Sequence, residues 1–142
     1  MSAPGLDHVA IAVKNLEVAI RYYVDVLGFA EPELEEVADQ QVRTAIFGHA
    51  TCRIELICPT GPDTAVAKFL EKRGEGLHHI CVEVPDIEAA LRGLKAKGAQ
   101  LVDQHPRIGA GGAKIAFVHP KGAHGVLTEL REGMKAPSAI AR

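Results

Sequence analysis

The segment Leu6-Asp-His-Val-Ala-Ile-Ala-Val13 returns later in the chain as Leu77-His-His-Ile-Cys-Val-Glu-Val84, and His8 and His79 hold the same slot of the two copies. The match runs on, with identities at Glu17 and Glu88, Ala19 and Ala90, and Arg21 and Arg92. Core positions keep their character: Val9 matches Ile80, Ile11 matches Val82, Leu16 matches Ile87 and Ile20 matches Leu91. A repeat this long means duplicated supersecondary units, with too long a period and too few copies for a solenoid. The chain is expected to fold as two similar halves. An imidazole recurring in register points to one site built by both.

Local patterning supplies the elements of the first half. From Leu6 to Val13, alternation puts Val9, Ile11 and Val13 on one face of a strand and His8, Ala10 and Ala12 on the other. The first face reads as core. The second, a histidine followed by small residues, suits the wall of a cavity. Asn15 fits a helix N-cap with Glu17 in the first turn, and Leu16, Ile20, Tyr23 and Leu27 recur at helical spacing up to Gly28. Three strands are expected next: Glu33–Val37, Gln41–Phe47 and Cys52–Cys58. In the last, Ile54 and Leu56 share a face and Glu55 points the other way with Arg53 and Ile57. A carboxylate centred in so apolar a strand costs free energy unless something pairs with it.

Pro59–Pro62 is a turn cluster, and Asp63–Arg73 a short amphipathic helix stopped by Gly74. The second half repeats the order, with Asp86 in the capping role of Asn15. Short strands are expected at Gln100–Val102, Ala113–Val118 and Gly125–Leu130, and the last places Glu129 where the first half has Glu55. The organisation is a module at 5–60, a connector helix at 61–75, a module at 76–132 and a frayed tail at 133–142, all in one domain.

His8 and His79 on the first strand of each half, and Glu55 and Glu129 on the last, form the constellation that carries chemistry. Two imidazoles and two carboxylates suit a divalent cation, and four protein donors around an octahedral ion leave two positions for water or for two neighbouring substrate oxygens. A lone buried histidine is more often a satisfied core residue, but four such groups in register across a duplication are a stronger pattern. His78 is the alternative to His79, although alternation turns it the other way. Gly109-Ala-Gly-Gly-Ala-Lys114 precedes a strand and lacks a Lys-Ser/Thr ending, so a hairpin turn is expected and not a phosphate loop. His49, His105 and His124 fall in turns that face solvent.

Composition closes off other classes. A net charge of -2 gives no electrostatic case for nucleic acid. No apolar run approaches the roughly 20 residues that span a bilayer. The stretch before the first strand leaves no room for a targeting peptide, and three cysteines with no Cys-x-x-Cys pair read as reduced thiols, so a cytoplasmic setting is expected.

On five segments the chain resembles the vicinal oxygen chelate superfamily, which includes glyoxalase I and extradiol dioxygenases, and within it the methylmalonyl-CoA epimerases. These are Asp7–Val13, Ala65-Val-Ala-Lys-Phe-Leu70, Gly76-Leu-His-His79, Phe117-Val-His-Pro-Lys121 and Gly125-Val-Leu-Thr-Glu-Leu130. The resemblance implies an α+β fold of two tandem βαβββ modules whose curved mixed sheet surrounds a metal site. It places metal ligands at His8, His79 and Glu129, and a fourth at Glu55, where some members carry Gln. It implies Co²⁺, or else Mn²⁺, Ni²⁺ or Zn²⁺, a homodimer, and methylmalonyl-CoA as substrate in propionate metabolism. The implied reaction interconverts the (2R) and (2S) forms by proton abstraction alpha to the thioester through a metal-stabilised enolate, with Glu129 as one acid/base. Some relatives carry a second glutamate two residues beyond the Val of Glu-Gln-Gly-Val. Here the segment reads Asp39-Gln-Gln-Val42 and that position is Thr44, which leaves Glu55, a metal-bound water or Asp39 for the second role. The competing readings are a glyoxalase I-like isomerase of the same fold and a non-enzymatic small-molecule-binding module. An iron dioxygenase would want only one carboxylate, which Glu55 argues against.

Overall fold

The structure, a computed structural model, describes residues 5–48 and 52–133. The chain divides into two compact units, one of His8–His78 and the other of His79 onward together with the residues before His8.

The first unit carries strand β1 (Gly5–Ala12), helix α1 (Leu16–Arg21), strands β2 (Glu33–Val37), β3 (Val42–Phe47) and β4 (Arg53–Pro59), and helix α2 (Ala65–Arg73). Its strands lie in the order β2-β3-β4-β1. β1 runs parallel to β4, and the other neighbours are antiparallel. The Asn15 side chain accepts from the Val18 N–H at 3.0 Å and starts α1 as its sequence position requires. The helix then widens into a π turn over Tyr22–Val26, where the Leu27 N–H reaches the Tyr22 carbonyl at 3.1 Å. This turn presses the Tyr23 ring onto Phe47, with centroids 5.2 Å apart, and edge-on to Phe29. Leu16 and Ile20 on the helix meet Ala45, Phe47, Leu56 and Cys58 on the sheet to form the unit's core. That core uses one face of the sheet only.

The second unit carries β5 (Gly76–Val84), α3 (Ile87–Ala96), β6 (Arg107–Ile108), β7 (Lys114–Val118) and β8 (Thr128–Glu132), in the strand order β5-β8-β7-β6. The Asp86 side chain caps α3 by accepting from the Ala89 N–H at 3.1 Å. Ile87 and Leu91 of α3 pack on Val84, Ala116, Val118 and Leu130. β5 is parallel to β8, and β7 is antiparallel to both its neighbours. Each unit is thus strand-helix-strand-strand-strand, and α2 groups with the first.

Two expected elements move. Gln100–Val102 is not a strand: Leu101 makes a single bridge to Val118. Backbone bonds from the Val102 N–H to the Phe117 carbonyl and from the His119 N–H to the Gln100 carbonyl, both 2.9 Å, flank it, and the Asp103 carboxylate takes the Phe117 N–H at 2.8 Å. The strand that pairs with β7 is Arg107–Ile108. The last strand begins at Thr128 and not at Gly125, because successive turn bonds and a positive φ of 86° at Gly125 hold the preceding residues in a loop. Of the tail expected over 133–142, Gly133 donates to the Val84 carbonyl at 2.9 Å, and the rest, like His49, lies outside the described residues.

Candidate metal centre

Register explains why one histidine and one glutamate meet in each unit. Ala10 stands opposite Glu55 in the β1–β4 pair, and Cys81 stands opposite Glu129 in the β5–β8 pair. Side chains two residues apart on a strand share a face. His8 therefore shares the face of Glu55, and His79 that of Glu129, with the same offset in both units. Neither face is the one that packs on the unit's helix.

The side chains close the step. His8 Nδ1 lies 3.5 Å from Glu55 Oε2, and His79 Nε2 lies 2.9 Å from Glu129 Oε1. All four residues are buried, His8 at 2% exposure, Glu129 at 5%, Glu55 at 6% and His79 at 7%. Ala10 and Cys81, each two residues along from the histidine and opposite the glutamate, have no exposure at all. Their small size lets the imidazole and carboxylate approach. The Phe117 ring stands edge-on to His79, with centroids 5.4 Å apart, and fixes its plane.

Burying two ionised carboxylates costs several kcal/mol each unless a positive charge faces them. Each glutamate is met by an imidazole. The donor set fits a divalent cation. Two donor atoms about 2.1 Å from one ion and at right angles to each other lie about 3.0 Å apart. The separations of 3.5 Å and 2.9 Å in the two pairs fall around that value.

The other candidates go elsewhere. His78 stacks edge-on to Phe69 of α2, with centroids 4.7 Å apart, as alternation requires. His105 and His124 are exposed. Lys114 pairs with Glu88 of α3 at 3.6 Å. His119 accepts from the Lys121 N–H at 3.0 Å and caps the turn after β7. Thr44 is buried on the face that holds Glu55, and its hydroxyl donates to the Glu35 carbonyl at 3.1 Å. Arg131 was not anticipated. It lies two residues beyond Glu129 on the same face of β8 and donates to the Ala110 carbonyl at 2.8 Å, fixing the glycine turn before β7. The strand alternation that located Glu129 locates it too.

The family model of the Glyoxalase/Bleomycin resistance protein/Dioxygenase superfamily matches residues 7–117. The chain is 41% identical over 129 residues to the ethylmalonyl-CoA/methylmalonyl-CoA epimerase of Cereibacter sphaeroides, covering 89% of this chain and 96% of the relative. It is 40% identical over 128 residues to the mitochondrial methylmalonyl-CoA epimerase of Dictyostelium discoideum, covering 89% of this chain and 77% of the relative. The crystal structure of methylmalonyl-CoA epimerase from Mycobacterium tuberculosis superimposes with a TM-score of 0.85 at 41% identity, covering 97% of this chain and 92% of that one.

Proposed function

The chain belongs to the Glyoxalase/Bleomycin resistance protein/Dioxygenase superfamily, and from that premise we infer that it is an isomerase interconverting (2R)- and (2S)-methylmalonyl-CoA. The observation that carries this reading is the buried histidine–glutamate pair recurring at one register offset in both units. We assign His8, Glu55, His79 and Glu129 together as the ligands of one divalent ion. The resemblance to the epimerases favours Co²⁺, with Mn²⁺, Ni²⁺ and Zn²⁺ as alternatives that imidazole and carboxylate donors also suit.

The hydrogen to be moved lies on the carbon between a thioester and a carboxylate. When bound, a divalent cation supplies Lewis-acid stabilisation for the negative charge that develops on the thioester oxygen. The protein does the rest. Glu129, buried and facing His79, takes the C2 proton of one epimer and, in the reverse direction, delivers a proton to that same face. Water is kept out by the packed face around it, where Phe117 and Cys81 are buried beside the glutamate. His8 and His79 hold the carboxylates in place, so that little reorganisation is needed as charge moves.

The same reading carries a homodimer in the cytoplasm. Support for a reducing compartment comes from the sequence, in which an odd number of cysteines forms no Cys-x-x-Cys pair. Deuterium exchange tests the function. Cobalt-loaded protein incubated with methylmalonyl-CoA in D₂O should incorporate deuterium at C2 and equilibrate the two epimers. Exchange no faster than in buffer alone would end the epimerase reading.

A further inference from the structure

We propose that Glu35 is the second proton carrier, acting on the face of C2 opposite to Glu129. The proposal rests on the epimerase reading, since only inversion of a carbon demands two carriers. A proton removed from one face must be replaced from the other, and one carboxylate cannot serve both without the substrate turning over.

The sheet of the first unit supplies the position. Its open face runs from Glu55 on β4 through Thr44 on β3 to Glu35 on β2: Glu55 pairs with Ile46, Thr44 with Ile57, and Glu35 with Thr44. Directly paired residues share a face, so Glu35, Thr44 and Glu55 project from the same side. β2 is the outer strand of its unit, and on it Glu33, Leu34 and Glu36 are exposed. Glu35 is half-buried between exposed neighbours.

The rivals fit the role less well. Thr44 is neutral, and its hydroxyl proton is committed to the Glu35 carbonyl at 3.1 Å. That bond ties β2 to β3 at this point and fixes the backbone from which the Glu35 side chain departs. Asp39 is exposed in the turn of Ala38–Gln40, past the end of β2. Glu55 faces His8 at 3.5 Å and is assigned to the cation. Glu35 starts one strand, about 4.8 Å, further out than Thr44.

The test separates exchange from inversion. Full-length cobalt-loaded Glu35→Gln is given each pure epimer of methylmalonyl-CoA in D₂O, and deuterium at C2, configuration and bound cobalt are followed. Inversion should fall at least about 100-fold. One epimer should continue to take up deuterium with its configuration retained, because Glu129 still serves that face. Bound cobalt should equal that of the wild type, and Glu35→Asp should recover part of the inversion. Inversion of both epimers at wild-type rate by Glu35→Gln would overturn the proposal. So would loss of exchange in both epimers with cobalt still bound, or a split between exchange and inversion in Asp39→Asn in its place. A wild-type protein that exchanges neither epimer would sink the epimerase reading and this proposal with it. Normal exchange in the wild type with an unaffected Glu35→Gln sinks the proposal alone.

Discussion

Nε2 of His79 stands 2.9 Å from Oε1 of Glu129, with both side chains buried in the face of the second unit that its helix leaves uncovered. A glutamate so placed can exchange protons in a site closed to bulk water. Glu129→Gln keeps the shape and removes that capacity. Epimerisation should fall by about 1000-fold, the middle of the range for a general acid/base. Circular dichroism and the unfolding midpoint should stay close to those of the wild type. Turnover within a few-fold of normal would remove Glu129 from the acid/base role.

Metal content gives an independent check on the two histidines. His8→Ala and His79→Ala should each purify with far less than the wild-type cobalt, as read by elemental analysis. A ligand that binds the folded chain alone stabilises it by about 2.7 kcal/mol when present at 100 times its Kd. Cobalt should accordingly raise the wild-type unfolding midpoint, a chelator should lower it, and neither should move it in the two variants. A full cobalt complement in either variant would strike that histidine from the ligand set.

Much of this arrangement was legible in the sequence because period-two alternation is a strict geometric rule. Once Leu6–Val13 and Leu77–Val84 are read as strands, His8 shares a face with Ala10, and the register then brings Glu55 beside it. The caps at Asn15 and Asp86 were equally local. What escaped depended on partners distant in sequence. Leu101 has the hydropathy of a strand residue, but the Asp103 carboxylate takes the Phe117 N–H that a longer strand would use. Tyr22–Val26 continues a helical pattern, and its widening follows from the stacking of Tyr23 on Phe47 in β3. The inward turn of Glu35 is invisible in a run of acidic residues until the pairing of β2 is known.

Cys58 links stability to alkaline pH. Burial pushes its thiol above the ordinary value of 9.0, and the Sγ lies 3.6 Å from the Lys14 carbonyl. Above that ordinary value the unfolded chain loses the thiol proton while the folded chain retains it. The folded state then binds more protons, so stability is unaffected below about pH 9 and declines as pH rises beyond it. Urea midpoints at pH 8 and pH 10 should show this decline in the wild type and a shallower one in Cys58→Ala, whatever the variant's absolute stability. An equal slope in both would assign the decline to other groups. Thiol labelling of the folded protein should modify Cys52, which is exposed, well before Cys58 or Cys81, which are buried.

Gln41 offers a way to stabilise the chain without touching the four buried pair residues. It closes the turn after β2 with φ 56° and ψ 47°, the left-handed region that costs a side-chain-bearing residue roughly 1–2 kcal/mol. Its N–H reaches the Ala38 carbonyl at 3.1 Å, and its own carbonyl accepts from the Thr60 N–H at 3.0 Å. The backbone is thus held in this conformation by bonds that glycine can make equally well. Glycine also has more freedom to lose on folding, roughly 0.5–1 kcal/mol relative to alanine. The difference leaves Gln41→Gly more stable than the wild type by about 0.5 kcal/mol. Gln41→Ala, which keeps the Cβ and so the strain, should show no such gain. Equilibrium urea unfolding resolves the two variants. A glycine variant less stable than the alanine one would show that contacts of the Gln41 side chain, and not backbone strain, decide the stability of this turn.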